Sequence, residues 1–172
     1  MKHNLKLVLS SLLLLTTLIG CSTEREQVSE GIEKKFQTLI PVIDMNKSFQ
    51  IKVDNDQNTF QRDTDIRLII NNKSSHSITF ALESYIKMLI IRHQEWMEVG
   101  NVISYSGLLQ ILPQGTLLLD TRTTRVQPIL ISDNFENTER TLLRIVMIGE
   151  LTENDKPTGK MVGSYVDVYI TP

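Results

Sequence analysis

The chain has 172 residues, 41% of them hydrophobic, and carries 18 Lys and Arg against 20 Asp and Glu for a formal net charge of −2. That length suits one domain with a sizeable core, and the interspersed charges argue against the clustered basic face that a nucleic-acid partner requires. A single cysteine, Cys21, excludes a disulfide within the chain, so the fold must rest on its core. Residues 1–21 have the three parts of a secretory signal: a positive start from Lys2, His3 and Lys6, a mostly apolar run from Leu7 to Ile19, and the small residue Gly20. The run is shorter than the roughly 20 apolar residues a spanning helix needs, so cleavage is expected rather than an anchor that crosses the bilayer.

Leu18-Ile19-Gly20-Cys21 resembles a bacterial lipobox, with Leu three positions before the cysteine and Gly directly before it. The resemblance implies a lipoprotein signal peptide over residues 1–20, cleavage between Gly20 and Cys21, a diacylglyceryl group on the Cys21 sulfur, and acylation, for example by palmitate, of the new amino terminus. Two acyl chains suffice for stable attachment, because each buried methylene contributes about 0.8 kcal/mol and one chain alone holds only marginally. Ser22 stands where an aspartate would resemble an inner-membrane retention signal. In a Gram-negative host this implies the periplasmic face of the outer membrane, and a single-membrane host stays open. Loss of Lys2 and Lys6 leaves 16 Lys and Arg against 20 Asp and Glu, a formal charge of −4, with no polybasic patch for the membrane.

Residues 21–47 read as the lipidated cysteine and a tether. Ser22 to Glu30 is almost wholly polar, as suits a spacer. Val28, Ile32, Phe36 and Leu39 then recur at spacings of four, four and three. This pattern fits a short amphipathic helix, while Gly31 and Pro41 fit an irregular arm lying on the domain, and both readings stand.

Strand grammar begins at Phe49. Phe49, Ile51 and Val53 alternate with polar residues, as do Ile66, Leu68 and Ile70, and Asn71 to Ser75 supplies a turn before Ile78, Phe80 and Leu82. Tyr85 to Arg92 is nearly continuous in apolar residues, which predicts burial on both faces. A turn around His93-Gln94-Glu95 leads into Trp96 to Val99. Thr116 to Asp120 and Val126 to Ile131 follow as strands, with Pro128 placing the second at an edge or bulge. Arg140 to Gly149 and Gly163 to Thr171 form the clearest pair, joined by a predicted hairpin loop from Glu150 to Met161 that contains Asn154, Asp155, Pro157 and Gly159. Ala81 is the one alanine, which disfavours long helices.

These segments predict an all-β chain: an antiparallel β-sandwich of about seven to nine strands over residues 48–172. The pattern resembles immunoglobulin-like domains of bacteria at the level of architecture, over roughly residues 48–171, although the paired cysteines of antibody domains are absent. A looser likeness to immunoglobulin-like proteinase inhibitors of bacilli lies in the run Leu68 to Phe80, the strand at Trp96 and the Leu112-Pro113-Gln114-Gly115 turn. It transfers no functional positions.

The chemistry-bearing residues give no catalytic constellation. Ser84-Tyr85-Ile86-Lys87 has the Ser-x-x-Lys spacing of penicillin-recognising enzymes, but on a strand residues three apart face opposite ways. His76 and His93 sit at turns without metal-ligand spacing to another His or Cys. Asp54, Asp56, Asn58 and Asp65 occupy positions one, three, five and twelve of a calcium loop, yet Thr59 replaces the required glycine and the flanks read as strands, so an acidic interstrand loop is expected. No cofactor or metal is expected. Candidate binding positions are Tyr105 and Phe135 on loops, where rigid rings can anchor a partner, together with Trp96 and His93. Trp96 suits the core, with an exposed use left open beside His93. Arg122 and Arg125, flanked by threonines, fit a solvated turn.

The sequence thus predicts a lipid-anchored, extracytoplasmic, noncatalytic binding or assembly module at the cell envelope. Its expected partners are the bilayer, through Cys21, and an envelope protein or polymer. The alternative is a surface-tethered proteinase inhibitor with an exposed loop such as 100–115, and an envelope hydrolase ranks last.

Overall fold

Alternation of apolar and polar side chains dominates the computed structural model, which describes residues 30–62, 64–81, 86–99, 103–104, 116–131, 137–154 and 156–172. One helix, α1 (Glu30–Leu39), precedes twelve strands among these residues: β1 (Asp44–Met45), β2 (Phe49–Val53), β3 (Thr59–Gln61), β4 (Asp65–Asn72), β5 (Ser77–Ala81), β6 (Ile86–Arg92), β7 (Glu95–Glu98), β8 (Ile103–Ser104), β9 (Thr116–Leu119), β10 (Thr124–Ile131), β11 (Thr141–Glu153) and β12 (Lys156–Thr171). They form two sheets, and the all-β sandwich expected from the sequence is the fold observed.

The long hairpin β11–β12 is the spine of the larger sheet. Along its far side β12 pairs in parallel with β1 at Val162 and Gly163 and with β3 at Tyr169 to Thr171. β11 pairs antiparallel with β6 from Leu143 to Met147 and with β5 from Glu150 to Thr152, and β7 and β9 extend these two outward. The smaller sheet runs β2-β4-β10-β8. Each side of the spine carries two short strands end to end, so the twelve segments fill five strand positions in one sheet and four in the other. This is why the segments outnumber the seven to nine strands read from periodicity.

Two sequence expectations are sharpened here. The predicted loop from Glu150 to Met161 is mostly strand: β11 runs on to Glu153 and β12 resumes at Lys156, with a register shift between Glu150 and Thr152. Asn154, at φ 50°, takes the left-handed conformation that the tight turn needs. Pro128 lies in unbroken register with Arg67 of β4, and β8 pairs with β10 only at Leu130 and Ile131. Among the described residues, the opposite side of β10 is therefore an open edge at Pro128, where a missing N–H costs no ladder bond.

The core lies between the sheets. Ile51, Ile66, Leu68 and Ile70 face Phe80, Met88, Leu143, Ile145, Met147, Val168 and Ile170, all buried, and Phe49 meets Phe80 edge-on at 5.4 Å between centroids. Gly149 is required by this packing, since a Cβ there would stand 2.5 Å from Ile78 Cγ2 and 2.8 Å from Phe80 Cε1. At the corner where β1 passes into β2, Ser164 Oγ is fully buried. It accepts a hydrogen bond from Ile51 N at 3.0 Å and donates to Asn46 Oδ1 at 2.8 Å, tying the smaller sheet to the edge of the larger one.

Residues 31–172 form one compact unit. Of the two readings of this segment, the helix is the one observed over Glu30–Leu39, and Val28 lies outside the described residues. Phe36 is fully buried and Ile40, just beyond the helix, nearly so, while Leu39 is 44% exposed and Ile32 is half-buried. The segment 31–47 therefore contributes a helix and a strand to the folded unit.

Candidate functional site

A strand has two faces, and on β11 the face away from the core bears Leu142, Arg144 and Val146, all buried. Helix α1 reaches this face through Glu33 and Phe36, both of which contact Arg144. Arg144 opposes Asp167 directly in the β11–β12 register, and its guanidinium donates to Asp167 twice, Nε to Oδ1 at 2.7 Å and Nη2 to Oδ2 at 2.8 Å. Its third bond, Nη1 to Glu33 Oε2 at 2.9 Å, reaches up to the helix. This fork geometry is what only arginine offers to carboxylates.

Three aromatic rings surround the same cation. Its Cζ lies 3.9 Å from the ring centroid of Tyr165, 4.3 Å from Trp96 and 4.6 Å from Phe36. The rings also touch one another: Phe36 stands edge-on to Tyr165 at 5.3 Å and tilted to Trp96 at 6.0 Å. Arg144 is 3% exposed. Burial alone works against its charge, but the hydrogen bonds and charge of Asp167, followed by those of Glu33, outweigh it and hold the pKa above the ordinary value. Burial raises the pKa of Tyr165 as well, with Glu33 and Asp167 adding to the rise and Arg144 opposing it. The Trp96 indole N–H is buried without an acceptor; the guanidinium beside it carries only donors.

This arrangement is a clamp: the guanidinium is 3% exposed, donates to two carboxylates, lies among three rings, and is held in its charged form. It joins helix α1 to the middle of the spine hairpin. At the rim, Lys35 on the helix meets Glu95 on β7 at 2.6 Å, which lowers the Glu95 pKa through the hydrogen bond and charge of the lysine. Both groups are exposed, so the contact contributes little.

Sequence reasoning missed Arg144, Asp167 and Glu33 as a set. A signal was present: Arg144 is flanked by Leu142-Leu143 and Ile145-Val146, and Asp167 by Val166 and Val168. A charge inside an apolar run asks for a buried partner.

The sequence-derived candidates are not brought together. Tyr105 and Phe135 lie outside the described residues, as do Gly20, Cys21 and Ser84, and of the 100–115 loop only Ile103 and Ser104 are described. Trp96 is 6% exposed and turned into the layer beneath α1. His93 is exposed in the β6–β7 turn, where it and Gln94 both take positive φ, 53° and 63°. Lys87, of the Ser-x-x-Lys spacing, bonds Glu98 at 2.7 Å. Asp54 and Asp56 lie in a 3-10 turn with Asp54 beside Arg67 at 3.6 Å, and Asp65 is on β4. Among the described residues no three His, Cys, Asp or Glu are grouped to hold a metal ion. His76 lines an open polar cleft of about 260 Å³ with Ser75, Ser77, Thr121, Thr152, Glu153 and Asn154.

No protein-family model matches the chain, and no curated protein is similar to it at a significant level. Similar solved structures include a PapD-like domain of human CEP192, with 8% identity and TM-score 0.37 over 72% of this chain and 84% of that one. The reeler domain of human F-spondin gives 10% and 0.38 over 73% and 90%. Spo0M, a sporulation control protein from Bacillus subtilis, gives 7% and 0.37 over 73% of this chain and 50% of its own.

Proposed function

We propose that the protein is a lipid-anchored, extracytoplasmic β-sandwich that serves as a noncatalytic binding or assembly module at the cell envelope. The observation that carries this reading is the lipobox-like Leu18-Ile19-Gly20-Cys21. Nine residues after Cys21 the chain enters a helix clamped onto the sandwich by Arg144 and Phe36. Eight residues, Ser22 to Ser29, join that cysteine to the helix. The bilayer is one partner, and an envelope protein or polymer the other.

Expression of the wild type and of Cys21→Ser in a bacterial host tests the reading. The wild type is expected in the membrane fraction with an amino-terminal peptide mass showing diacylglyceryl Cys21, and Cys21→Ser as an unlipidated precursor. An unmodified, uncut wild type would sink the anchor. Crosslinking in cells is expected to capture envelope partners that depend on Cys21. Turnover of any envelope substrate, abolished by one side-chain change, would overturn the noncatalytic part, and tight protease complexes with an intact chain would replace it with inhibition.

A further inference from the structure

Helix α1 covers the middle of the outer face of the larger sheet but leaves one end open. There Ile43 N donates to Met161 O at 2.8 Å, continuing the parallel register in which Asp44 opposes Val162 and Met45 opposes Gly163. Residues opposed in parallel register project to the same face, so Ile43 and Met161 stand side by side on the outer face, next to Met45. The Met45 Cε and Sδ lie 3.0 Å from where a Gly163 Cβ would be, so the Met45 side chain fills that neighbouring position on the sheet. Ile43 is 63% exposed, the most of any large hydrophobic described, and Met161 is 37% exposed. Leu39, 44% exposed, ends the helix four residues before Ile43.

We propose that this corner, Leu39, Ile43 and Met161, is a membrane-contact surface that dips into the headgroup boundary of the bilayer to which Cys21 is attached; the proposal rests on that anchor. Chain length points to the occupant. Glu30 is nine residues on from Cys21, and that stretch fully extended spans at most about 32 Å. The ten-residue helix adds about 15 Å. Together they put the end of the helix at most about 47 Å from Cys21, so the corner, which holds the first exposed large apolar residues after Cys21 among the described residues, is within reach of the lipid surface.

The contact is apolar in origin. Residues 30–47 carry Glu30, Glu33 and Asp44 against Lys34, Lys35 and Lys47, formally neutral. Glu150, opposite Met161 in the sheet, is engaged by Gly159 N at 2.6 Å, and Asp44, beside Ile43, by Ser48 Oγ at 2.7 Å. Headgroup charge and salt should therefore matter little, unlike binding through a polybasic segment.

The test uses the full lipidated protein, in which Cys21 is blocked by its thioether and an introduced cysteine is the reactive thiol. Ile43→Cys and, as a control away from the corner on β9, Leu118→Cys are labelled with an environment-sensitive fluorophore. Each is reconstituted into vesicles of phosphatidylcholine alone or mixed with phosphatidylglycerol. At position 43 a blue-shifted emission, quenched by brominated lipid to the same degree in both vesicles and at high salt, is expected; at 118 neither effect is. Co-flotation with an aqueous label at 43 would remove the membrane contact while leaving the anchor intact. A blue shift without lipid quenching would also overturn it, pointing to a second copy of the chain on this corner. Failure to co-float would take down the anchor and the contact together.

Discussion

The inner face of the larger sheet and the covered middle of its outer face are built on opposite principles. The inner face is aliphatic, with Leu143, Ile145, Met147, Val168 and Ile170 packed against the smaller sheet and no charge among them. The outer face, on the same two strands, is organised around Arg144, with Tyr165, Trp96 and Phe36 at its rings and Asp167 and Glu33 at its nitrogens. Hydrophobic burial is non-directional and tolerates many partners. A buried ion pair adds little net stability because desolvation offsets attraction, but it accepts one geometry only. The inner face holds the sandwich together; the outer face fixes where the helix sits.

If that contrast holds, truncation on the inner side is the most damaging change. Phe80→Ala should cost about 3–5 kcal/mol in urea unfolding, because Phe80 is fully buried against Phe49 and beneath Gly149. Arg144→Ala should cost about 3 kcal/mol, the low end for breaking a buried pair, since Asp167 and Glu33 remain 34% and 31% exposed and water can take their charge. Replacing both Arg144→Met and Asp167→Leu should recover most of that loss. No recovery would show the pair to be a net stabiliser and break the contrast.

Phe36→Ala should act locally, costing about 2 kcal/mol, because the helix can leave before the sandwich opens. Amide exchange would rise over residues 30–40 with β11 and β12 still protected, and the fluorescence of the chain's single Trp, Trp96, would shift red as its cover lifts. Simultaneous loss of protection in the spine would mean that the two faces are one cooperative unit.

Tyr165 gives a smaller, pH-dependent effect. Its pKa is raised in the fold, so the folded state keeps a proton that the unfolded chain releases near the ordinary value of about 10. The stability it contributes is complete below that pH and is lost as pH climbs toward the raised folded pKa. The melting temperature of the wild type should therefore fall more between pH 9 and 11 than that of Tyr165→Phe. Glu95→Gln, at the exposed rim, should leave the denaturation midpoint unchanged.

Much of the fold could be read from single strands. The alternation at Phe49 to Val53, Asp65 to Asn72 and Thr141 to Gly149 identifies each strand and its buried face, because a period of two needs no distant information. The hairpin was readable too, though its length was not: Asn154-Asp155 is a turn signal, but polar residues on both arms concealed how far pairing continued past Glu150. The lipobox-like motif at Cys21 is likewise local.

What residues 30–40 do was settled only in three dimensions. The spacing of Ile32, Phe36 and Leu39 permitted a helix and suggested one apolar stripe, yet just Phe36 is fully buried and Leu39 faces out. The helix is held by Arg144, 111 residues from Glu33, and that pairing depends on the β11–β12 register bringing Asp167 opposite Arg144. Likewise, Ile43 and Met161 become neighbours only through parallel pairing across more than a hundred residues of chain. Sequence determines periodicity, and periodicity tells which way a side chain points. It does not determine what stands on the other side, because long-range register is decided by the packing of all the elements at once.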